Sequence, residues 1–284
     1  MFLDKLCKTN PNLIQTAVHM HQQKQIMPDT YVVDVDQFIT NAKAILQKAN
    51  DQNIELYYML KQIGRNPYLA MELEKIGYKG AVVVDFKEAE VMMKNHLHIA
   101  HAGHLVQIPS MMVNQLVEYG CDYITVYSYE KLVEVNEAAK KVGISQKICV
   151  RVIGENDRIY SGQTAGFYLD QLEELVQKAK YLTHIEIAGV NNFPCFLYDE
   201  TTKQIEAQEN LYTVLKAKKI LEGLGCYIQN VNAPSATCVH TLELMKQYPE
   251  ITSAEPGHGL SGTTPYHVDH DTEEIPSILY LSEV

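Results

Sequence analysis

The stretch from Glu55 to Pro67 reads ELYYMLKQIGRNP and joins an apolar run to a lysine. Residues 56–60 are apolar or aromatic and include no turn residue, which is typical of a strand that is buried on both faces of a parallel sheet. Lys61 follows directly. Removing an ammonium group from water without a partner is costly, so a lysine at this position calls for an explanation.

Further runs with the same strand character follow along the chain. Together with residues 56–60 they make eight, the others being 81–85, 97–102, 123–127, 148–152, 185–190, 227–231 and 251–255. Helix signals lie between them: Asn66-Pro67 reads as a cap and first residue, and Asp85–Glu88 and Asp170–Glu173 have capping-box spacing. Eight repeats of strand and helix predict an α/β fold, a parallel (β/α)8 barrel of the TIM type, in preference to an open doubly wound sheet.

Both ends of the chain depart from this alternation. Residues 11–25 show helical spacing behind a proline, and a strand is expected at 31–35. We therefore expect a helical extension over residues 1–30, the barrel over 31–260 and a segment of different character over 261–284. The last run, SILYLSEV, is strand-like and needs a neighbour. It either pairs with early residues or leads into a C-terminal β-domain that is not present in this chain.

Composition bounds the class of protein. The 284 residues are 46% hydrophobic and 21% charged, enough for a sizeable core, and the formal net charge is -11 with no polybasic block. These values argue against a nucleic-acid partner, and no apolar run has the length of a membrane span. The 6 cysteines show no CxxC spacing and the N-terminus lacks the features of a signal peptide, which together indicate a cytoplasmic protein.

Candidate site residues lie where barrel strands end, since chemistry collects at the carboxyl ends of parallel strands. Lys61 is either an ordinary lysine whose head reaches water, or a lysine that an enclosed mouth keeps neutral so that its amine can form a Schiff base. After the eighth strand, AEPGHGLSGTT at 254–264 allows backbone N–H groups to converge on a phosphate. After the seventh, NAPSATC at 232–238 offers Ser235 as a helix cap or as a phosphate donor.

The order of these motifs, together with GVNNFPC at 189–195, resembles the fold type III pyridoxal 5′-phosphate enzymes. That group includes alanine racemase, its YhfX-type relatives and the basic amino-acid decarboxylases. The resemblance is strongest to the YhfX-type branch and covers nearly the whole chain. It implies pyridoxal 5′-phosphate as the cofactor, an amino acid as the substrate and a homodimer with the active site at the subunit interface.

The resemblance assigns roles by position. Lys61 corresponds to the lysine that forms the Schiff base with the cofactor and later moves the α-proton. Ser235 and the backbone at Gly257, His258 and Gly259 correspond to the phosphate site.

Four further positions belong to the implied cofactor site. Arg65 falls where a phosphate-contacting side chain is found, and Arg151 resembles the strand arginine near the ring hydroxyl. Phe193 stands where the family usually has a histidine against the cofactor ring, so stacking here would be apolar. Glu255 stands where alanine racemase has arginine and the decarboxylases have glutamate. A carboxylate beside the pyridine nitrogen keeps that nitrogen protonated and makes the ring a strong electron sink.

The second acid/base and the substrate contacts stay open. The arginine of a GMGRLG-like turn has no counterpart in SGQTAGF, where Thr164 stands instead, and Gln163 is a substitute contact. Cys195 and Tyr198 are candidates for the second acid/base, and His104 for a contact to cofactor or substrate. The other histidines lack the carboxylate and third ligand of a zinc site at recognisable spacing, so no metal is expected.

Several functions remain open at this stage. Family likeness favours an amino-acid racemase, whereas Glu255 favours a decarboxylase. Both reactions start from the same Schiff base between the cofactor and the amino acid. A protein that binds pyridoxal 5′-phosphate without turnover is a third alternative, and a metal-dependent barrel lyase that uses the histidines is a fourth.

Overall fold

The computed structural model describes residues 2–283. The helices of this part of the chain are α1 (Phe2–Thr9), α2 (Pro11–Gln22), α3 (Val35–Asn50), α4 (Pro67–Ile76), α5 (Phe86–Lys94), α6 (Ser110–Tyr119), α7 (Tyr129–Val142), α8 (Leu172–Ala179), α9 (Glu209–Gly223), α10 (Val239–Met245) and α11 (Pro265–Asp269). The strands are β1 (Thr30–Val33), β2 (Glu55–Leu56), β3 (Ala81–Val83), β4 (Ile99–Ala102), β5 (Tyr123–Val126), β6 (Gln146–Ile153), β7 (Phe167–Tyr168), β8 (Ile185–Asn191), β9 (Phe196–Asp199), β10 (Gln204–Ala207), β11 (Asn230–Asn232), β12 (Ser253–Ala254) and β13 (Ile278–Leu281).

Eight strands form one parallel ring in the order β2, β12, β11, β8, β6, β5, β4, β3. A parallel bridge between Tyr58 and Ala81 joins the two ends of this order. There the amide of Tyr58 donates to the carbonyl of Gly80 at 2.9 Å, and the amide of Val82 donates to that of Tyr58 at 2.9 Å. The predicted (β/α)8 barrel is confirmed, and each of the eight predicted strands overlaps a strand of the ring.

The place of residues 56–60 in the barrel explains why this stretch is apolar without interruption. Leu56, Tyr58 and Leu60 belong to the core between strands and helices, whereas Tyr57 and Met59 belong to a second cluster on the other face. Successive side chains of a strand point to opposite faces, so a strand that is buried on both faces has no polar alternation.

Polar side chains run down the barrel interior. Asn232 donates to Ser253 at 3.0 Å, Ser253 donates to Asn230 at 2.7 Å, and Asn230 donates to the Tyr57 hydroxyl at 2.9 Å. All four residues are buried. Buried polar groups are costly unless they are hydrogen-bonded, and this chain of contacts partners them with one another.

The predicted helix starts are confirmed in two cases. The Asn66 side chain accepts from the Tyr68 amide at 2.9 Å, and the Asp85 carboxylate accepts from the Glu88 amide at 2.8 Å. The start at Asp170 is wrong. The Gln171 amide oxygen accepts from the Tyr168 amide at 2.8 Å, which fixes a single 3-10 turn over residues 169–171 and delays the start of α8.

The two ends of the described chain meet outside the barrel. β1 pairs antiparallel with β13, with Thr30 opposite Leu281 and Val33 opposite Ile278. The strand-like run at the end of the sequence therefore pairs with early residues. β1 ends before the predicted 31–35 run does, because Asp34 caps α3 by accepting from the Gln37 amide at 3.0 Å. The division at residues 30 and 260 stays a prediction.

Among the described residues, no helix combines the length and the apolar character needed to cross a membrane.

Candidate active site

A cavity of about 300 Å³ opens at the carboxyl end of the barrel strands. It collects most of the site residues predicted from the sequence, although they come from separate parts of the chain. The predicted residues that line it are Lys61, Phe193, Tyr198, Ser235, Glu255, Gly257, His258 and Gly259.

Lys61 lies at the rim of this cavity. It is the first residue of a single 3-10 turn, Lys61–Ile63, which ends at Gly64 with a φ of 70°. Lys61 is exposed, so the enclosed mouth expected around it is not what the structure shows. The chain turns outward directly after Leu60, which explains the difference. Partial burial and the nearby Lys61 ammonium both hold the pKa of His258 below its ordinary value, consistent with a lysine head that faces the 257–259 loop.

The loop after β11 presents polar groups to the cavity. Ser235 and Ala236 have φ values of 91° and 50°, a left-handed backbone that is uncommon for residues with a side chain. Ser235 is not a helix cap, because Cys238 occupies the N-cap position of α10. The Thr237 hydroxyl is buried and has no hydrogen-bond partner within the described chain. Such a hydroxyl and an unusual local backbone fit a bound anion.

Gly257 and Gly259, which follow β12, lie where their neighbours leave no space for a side chain. A Cβ at Gly259 would lie 2.3 Å from the Thr237 carbonyl oxygen, and a Cβ at Gly257 would lie 2.3 Å from the Gln62 amide nitrogen. The 257–259 loop and the 235–237 loop are therefore in direct contact across the cavity. Close backbone approach of this kind is the role that the sequence predicts for these glycines.

Glu255 forms the deep wall of the cavity. Its side chain is fully enclosed, with one oxygen 3.5 Å from His101 Nδ1 and the other 3.3 Å from His104 Nε2. Burial alone would raise the pKa of Glu255, but the imidazoles of His104 and His101 outweigh it and the pKa falls below its ordinary value. Burial lowers the pKa of His104 to about 3. The site therefore holds a carboxylate beside a neutral imidazole.

Arg151 is a buried cation close to the same region. It is 1% exposed, and its guanidinium lies 5.9 Å from the centre of the Tyr127 ring. None of its three side-chain nitrogens has a hydrogen-bond partner among residues 2–283. Burial lowers the pKa of Arg151, which expresses the cost of holding it away from water. A guanidinium in this state fits an acceptor on a bound ligand.

Phe193 and Tyr198 supply the aromatic part of the lining. Phe193 lies edge-on to His104, with ring centres 5.8 Å apart. The Tyr198 hydroxyl donates to the Asp269 carboxylate. Burial and this hydrogen bond raise the pKa of Tyr198 to about 12, so the phenol is protonated at neutral pH.

Five predicted residues do not line the cavity: Arg151 and His104, which lie close to it as described above, and Arg65, Cys195 and Gln163. Arg65 pairs with Asp85 at 3.1 Å, which directs its guanidinium toward the start of α5. Cys195 is fully buried and its thiol faces the Asn192 carbonyl at 3.5 Å, while burial raises its pKa. Gln163 lies in a turn, and its backbone amide donates to the Tyr160 carbonyl at 3.0 Å. These placements argue against the phosphate contact expected for Arg65 and the acid/base role expected for Cys195, whereas the side-chain oxygen of Gln163 is buried and has no hydrogen-bond partner among the described residues.

Other residues of the site were missed by the sequence analysis. Gln62 and Thr237 line the cavity, and His101 contacts Glu255 beneath it. Thr237 could have been predicted, because it carries a second hydroxyl in the same loop, two residues after Ser235. Nothing in the sequence distinguished His101 from the other histidines.

A second buried group was missed as well. Cys238, His267 and Glu274 bring their ligand-type atoms within 4.8 Å of one another, so the fold supplies His267 with the carboxylate that no histidine has at recognisable spacing in the sequence. His267 Nδ1 accepts from the Thr264 amide at 3.1 Å, which places the proton of the neutral ring on Nε2, facing Glu274 at 3.5 Å. This arrangement is that of a buried histidine–carboxylate pair.

A family model described as the alanine racemase N-terminal domain matches residues 33–265. The chain belongs to that family. Its members have fold type III and depend on pyridoxal 5′-phosphate, so the family and the cofactor predicted from the sequence are confirmed.

Individual relatives support the same assignment. An uncharacterised protein, YhfX, from Escherichia coli strain K12 is 44% identical over 284 residues, which is 100% of this chain and 73% of that protein. Diaminopimelate decarboxylase from Helicobacter pylori has a TM-score of 0.67 at 16% identity, covering 86% of this chain and 67% of that one. D-threonine aldolase from Filomicrobium marinum has a TM-score of 0.66 at 15% identity, covering 89% and 69%.

The observed residues fit the family cofactor. The partnerless Thr237 hydroxyl and the glycines at 257 and 259 suit its phosphate, Arg151 suits an oxygen of the ring, and Glu255 suits a protonated ring nitrogen. Lys61 at the rim suits the aldehyde.

Proposed function

We propose that the protein is a pyridoxal 5′-phosphate-dependent enzyme that acts at the α-carbon of an amino acid, with racemisation as its reaction. The observation that carries this proposal is one cavity lined by both Lys61 and Tyr198 beside the buried carboxylate of Glu255. The cofactor, once bound, withdraws electrons from the α-carbon of the amino acid attached to it.

Racemisation needs one group that removes the α-proton and another that supplies a proton to the opposite face. Lys61 and Tyr198, whose side chains both carry an exchangeable proton, line the same cavity. Tyr198 is the protonated residue of this pair, because the Asp269 carboxylate accepts its hydroxyl hydrogen. Cys195 is a poorer candidate for the same role, because burial raises its pKa and its thiol faces a backbone carbonyl.

A decarboxylase is the second candidate, and Glu255 is the observation that favours it. A buried carboxylate against the ring nitrogen increases electron withdrawal, which serves the loss of carbon dioxide as well as the loss of a proton. Lys61 and Tyr198 would then deliver a proton to the α-carbon after the carboxyl group leaves.

Covalent attachment tests the cofactor assignment. Purified protein is mixed with pyridoxal 5′-phosphate, reduced with borohydride and digested, and the peptides are analysed by mass spectrometry. We expect the reduced cofactor on Lys61, and its loss in Lys61→Ala. Lys79→Ala is the matched control, because Lys79 pairs with Glu55 at the opposite end of the barrel. An unlabelled Lys61 in the wild-type protein refutes the assignment.

Incubation in heavy water with a panel of amino acids separates the reactions. α-Deuterium with inversion of configuration identifies a racemase, and carbon dioxide release identifies a decarboxylase. Tyr198→Phe should abolish inversion while exchange of the α-proton through Lys61 continues. If the cofactor binds and neither reaction occurs with any amino acid, the protein binds the cofactor without turnover and the racemase proposal fails.

We include in the proposal a homodimer, which the resemblance implies, and a cytoplasmic location, which the cysteine pattern and the N-terminus indicate. Sedimentation equilibrium of the loaded protein tests the dimer. A monomer at all concentrations would remove that part of the proposal without affecting the cofactor assignment.

A further inference from the structure

Glu255 belongs to a closed ring of polar contacts at the mouth of the barrel. The ring passes from Glu255 to His101, Thr125, Asn191 and His104 and returns to Glu255. The residues come from β4, β5, β8 and the segments that follow β4 and β12, and all five are buried. We call these five residues the Glu255 ring.

Asn191 fixes the proton of His104. Its side-chain amide nitrogen donates to the Thr125 hydroxyl oxygen at 3.0 Å and faces His104 Nδ1 at 3.4 Å. Because an amide nitrogen only donates, His104 Nδ1 accepts, and the single proton of the neutral ring lies on Nε2. That nitrogen is the one 3.3 Å from Glu255.

Thr125 fixes the proton of His101 in the opposite sense. Its oxygen accepts from the Asn191 amide nitrogen, which cannot accept in return, so among the described contacts His101 Nε2, 2.5 Å away, is the acceptor for the Thr125 hydroxyl hydrogen. His101 Nε2 therefore accepts, and the ring proton lies on Nδ1. That nitrogen is the one 3.5 Å from Glu255.

We propose that His101 and His104 are positioning residues that act as neutral imidazoles of opposite tautomers and direct two N–H groups at Glu255. The pair holds the carboxylate as an anion in one orientation. The inference rests on the proposed function, in which that anion meets the ring nitrogen of the cofactor. Neither histidine touches the reacting atoms; each acts through Glu255.

The charges around the ring are consistent with neutral imidazoles. Besides burial, the positive charges of Arg151 and Lys61 oppose a proton on His104, and Glu255 alone favours one. Two N–H groups directed at a carboxylate from 3.3 and 3.5 Å favour its charged form without a charged partner.

The same three side chains could hold a metal ion, since their ligand atoms lie within 4.8 Å of one another. A metal on His104 Nε2 would require the ring proton on Nδ1, where it would face the hydrogens of the Asn191 amide. The hydrogen-bond pattern therefore favours the carboxylate clamp, and metal binding becomes an outcome of the test.

The first experiment uses the protein without cofactor, so it does not depend on the proposed function. Histidine is labelled with ¹⁵N, and two-dimensional NMR gives the tautomer of each ring; His101→Gln and His104→Gln assign the two signals. We expect a proton on Nδ1 of His101 and on Nε2 of His104, and no titration of His104 between about pH 5 and about pH 8. Titration of His104 in that range, the same tautomer for both rings, or a shift of both signals by stoichiometric Zn²⁺ would overturn the inference.

The second experiment uses the loaded protein with ¹⁵N in the cofactor ring. We expect the ring-nitrogen signal of a protonated pyridine in the wild type and in His104→Gln, whose side chain retains an N–H donor. In His104→Leu that signal should shift to the unprotonated position. His98→Gln is the control, because His98 pairs with Asp122 at the other end of β4. A protonated ring in His104→Leu contradicts the inference, as does an unprotonated ring in the wild type.

Failures of the two proposals are distinguishable. If the wild-type protein does not bind the cofactor, the proposed function fails while the tautomers measured without cofactor stand or fall separately. If His104→Leu does not fold, His104→Gln and the NMR of the wild-type protein still decide the inference.

Discussion

Gly259→Ala is expected to separate the two loops that form the phosphate end of the cavity. The new Cβ would lie 2.3 Å from the Thr237 carbonyl oxygen and 3.3 Å from Ile45. Restoring van der Waals contact requires that the carbonyl withdraw by about 1 Å. A backbone carbonyl cannot rotate away as a side chain does, so the 235–237 loop moves with it. Overpacking of this kind costs about 1–3 kcal/mol in the free energy of unfolding.

The same displacement should weaken the binding of the cofactor. Hydrogen bonds from Thr237 and the loop backbone to a phosphate contribute about 1.5–3 kcal/mol each because the acceptor is charged. Losing one of them raises the dissociation constant about 10- to 100-fold. Urea unfolding measures the first effect, and titration with pyridoxal 5′-phosphate followed by absorbance measures the second.

Two glycines serve as controls for this variant. Gly223→Ala places a Cβ in open space at the end of α9, so its stability should rise by about 0.4–1 kcal/mol with unchanged cofactor affinity. Gly257→Ala meets the Gln62 side chain, which can move, so it should destabilise less than Gly259→Ala. The reasoning is refuted if Gly259→Ala unfolds at the wild-type urea concentration and binds the cofactor as tightly as the wild type does.

Two further predictions concern stability. Burial raises the pKa of Glu88 from 4.5 to about 7. The contribution of protonated Glu88 to the free energy of unfolding is therefore complete below pH 4.5 and is lost as the pH rises through about 7. The loss is about 3 kcal/mol. Urea unfolding at a series of pH values should show this decline in the wild type and a flatter profile in Glu88→Gln; parallel profiles would contradict it. Tyr57→Phe deprives Asn230 of its acceptor at 2.9 Å and should cost about 1–3 kcal/mol in unfolding free energy, with cofactor affinity unchanged because Tyr57 lies at the opposite end of the barrel. A weaker cofactor affinity in Tyr57→Phe would show that the two ends are coupled.

The barrel was predictable because its strands are apolar runs that end at turn or helix signals. Their lengths were less predictable. The run at 56–60 is called a strand only over Glu55–Leu56, since the residues after Leu56 pair alternately with both neighbours through single hydrogen bonds. Local sequence sets which residues are extended, whereas ladder length depends on the neighbouring strands.

The cavity was predictable for the residues that follow strands directly, because parallel strands place those residues at one end. Glu255, Ser235 and Gly257 illustrate this rule. Arg65 shows its limit: a residue four positions after Lys61 was expected at the phosphate, but the turn at Gly64 carries it to Asp85. A turn geometry of this kind is not encoded in spacing alone.

The role of His101 could not be read from the sequence. Strict alternation would put His101 and His104 on opposite faces of a strand, so only one of them would face inward. β4 ends at Ala102, and Gly103 with a φ of 79° turns the chain so that both rings reach Glu255. Which carboxylate they would meet depended on β12, which lies far along the chain.

The join between β2 and β3 has a consequence for motion. Around Tyr58 a single bridge connects these strands, whereas β6 and β8 are held by six paired positions. Transient opening of a folded protein is cheapest where few ladder bonds must break. Lys61 follows Tyr58 by three residues, so the amine proposed to react with the aldehyde of the cofactor is attached next to one of the sparsely paired junctions of the barrel. Local opening at this junction would move the Lys61 head relative to Glu255 and the two histidines, which lie on or directly after the strands that flank it, β12 and β4.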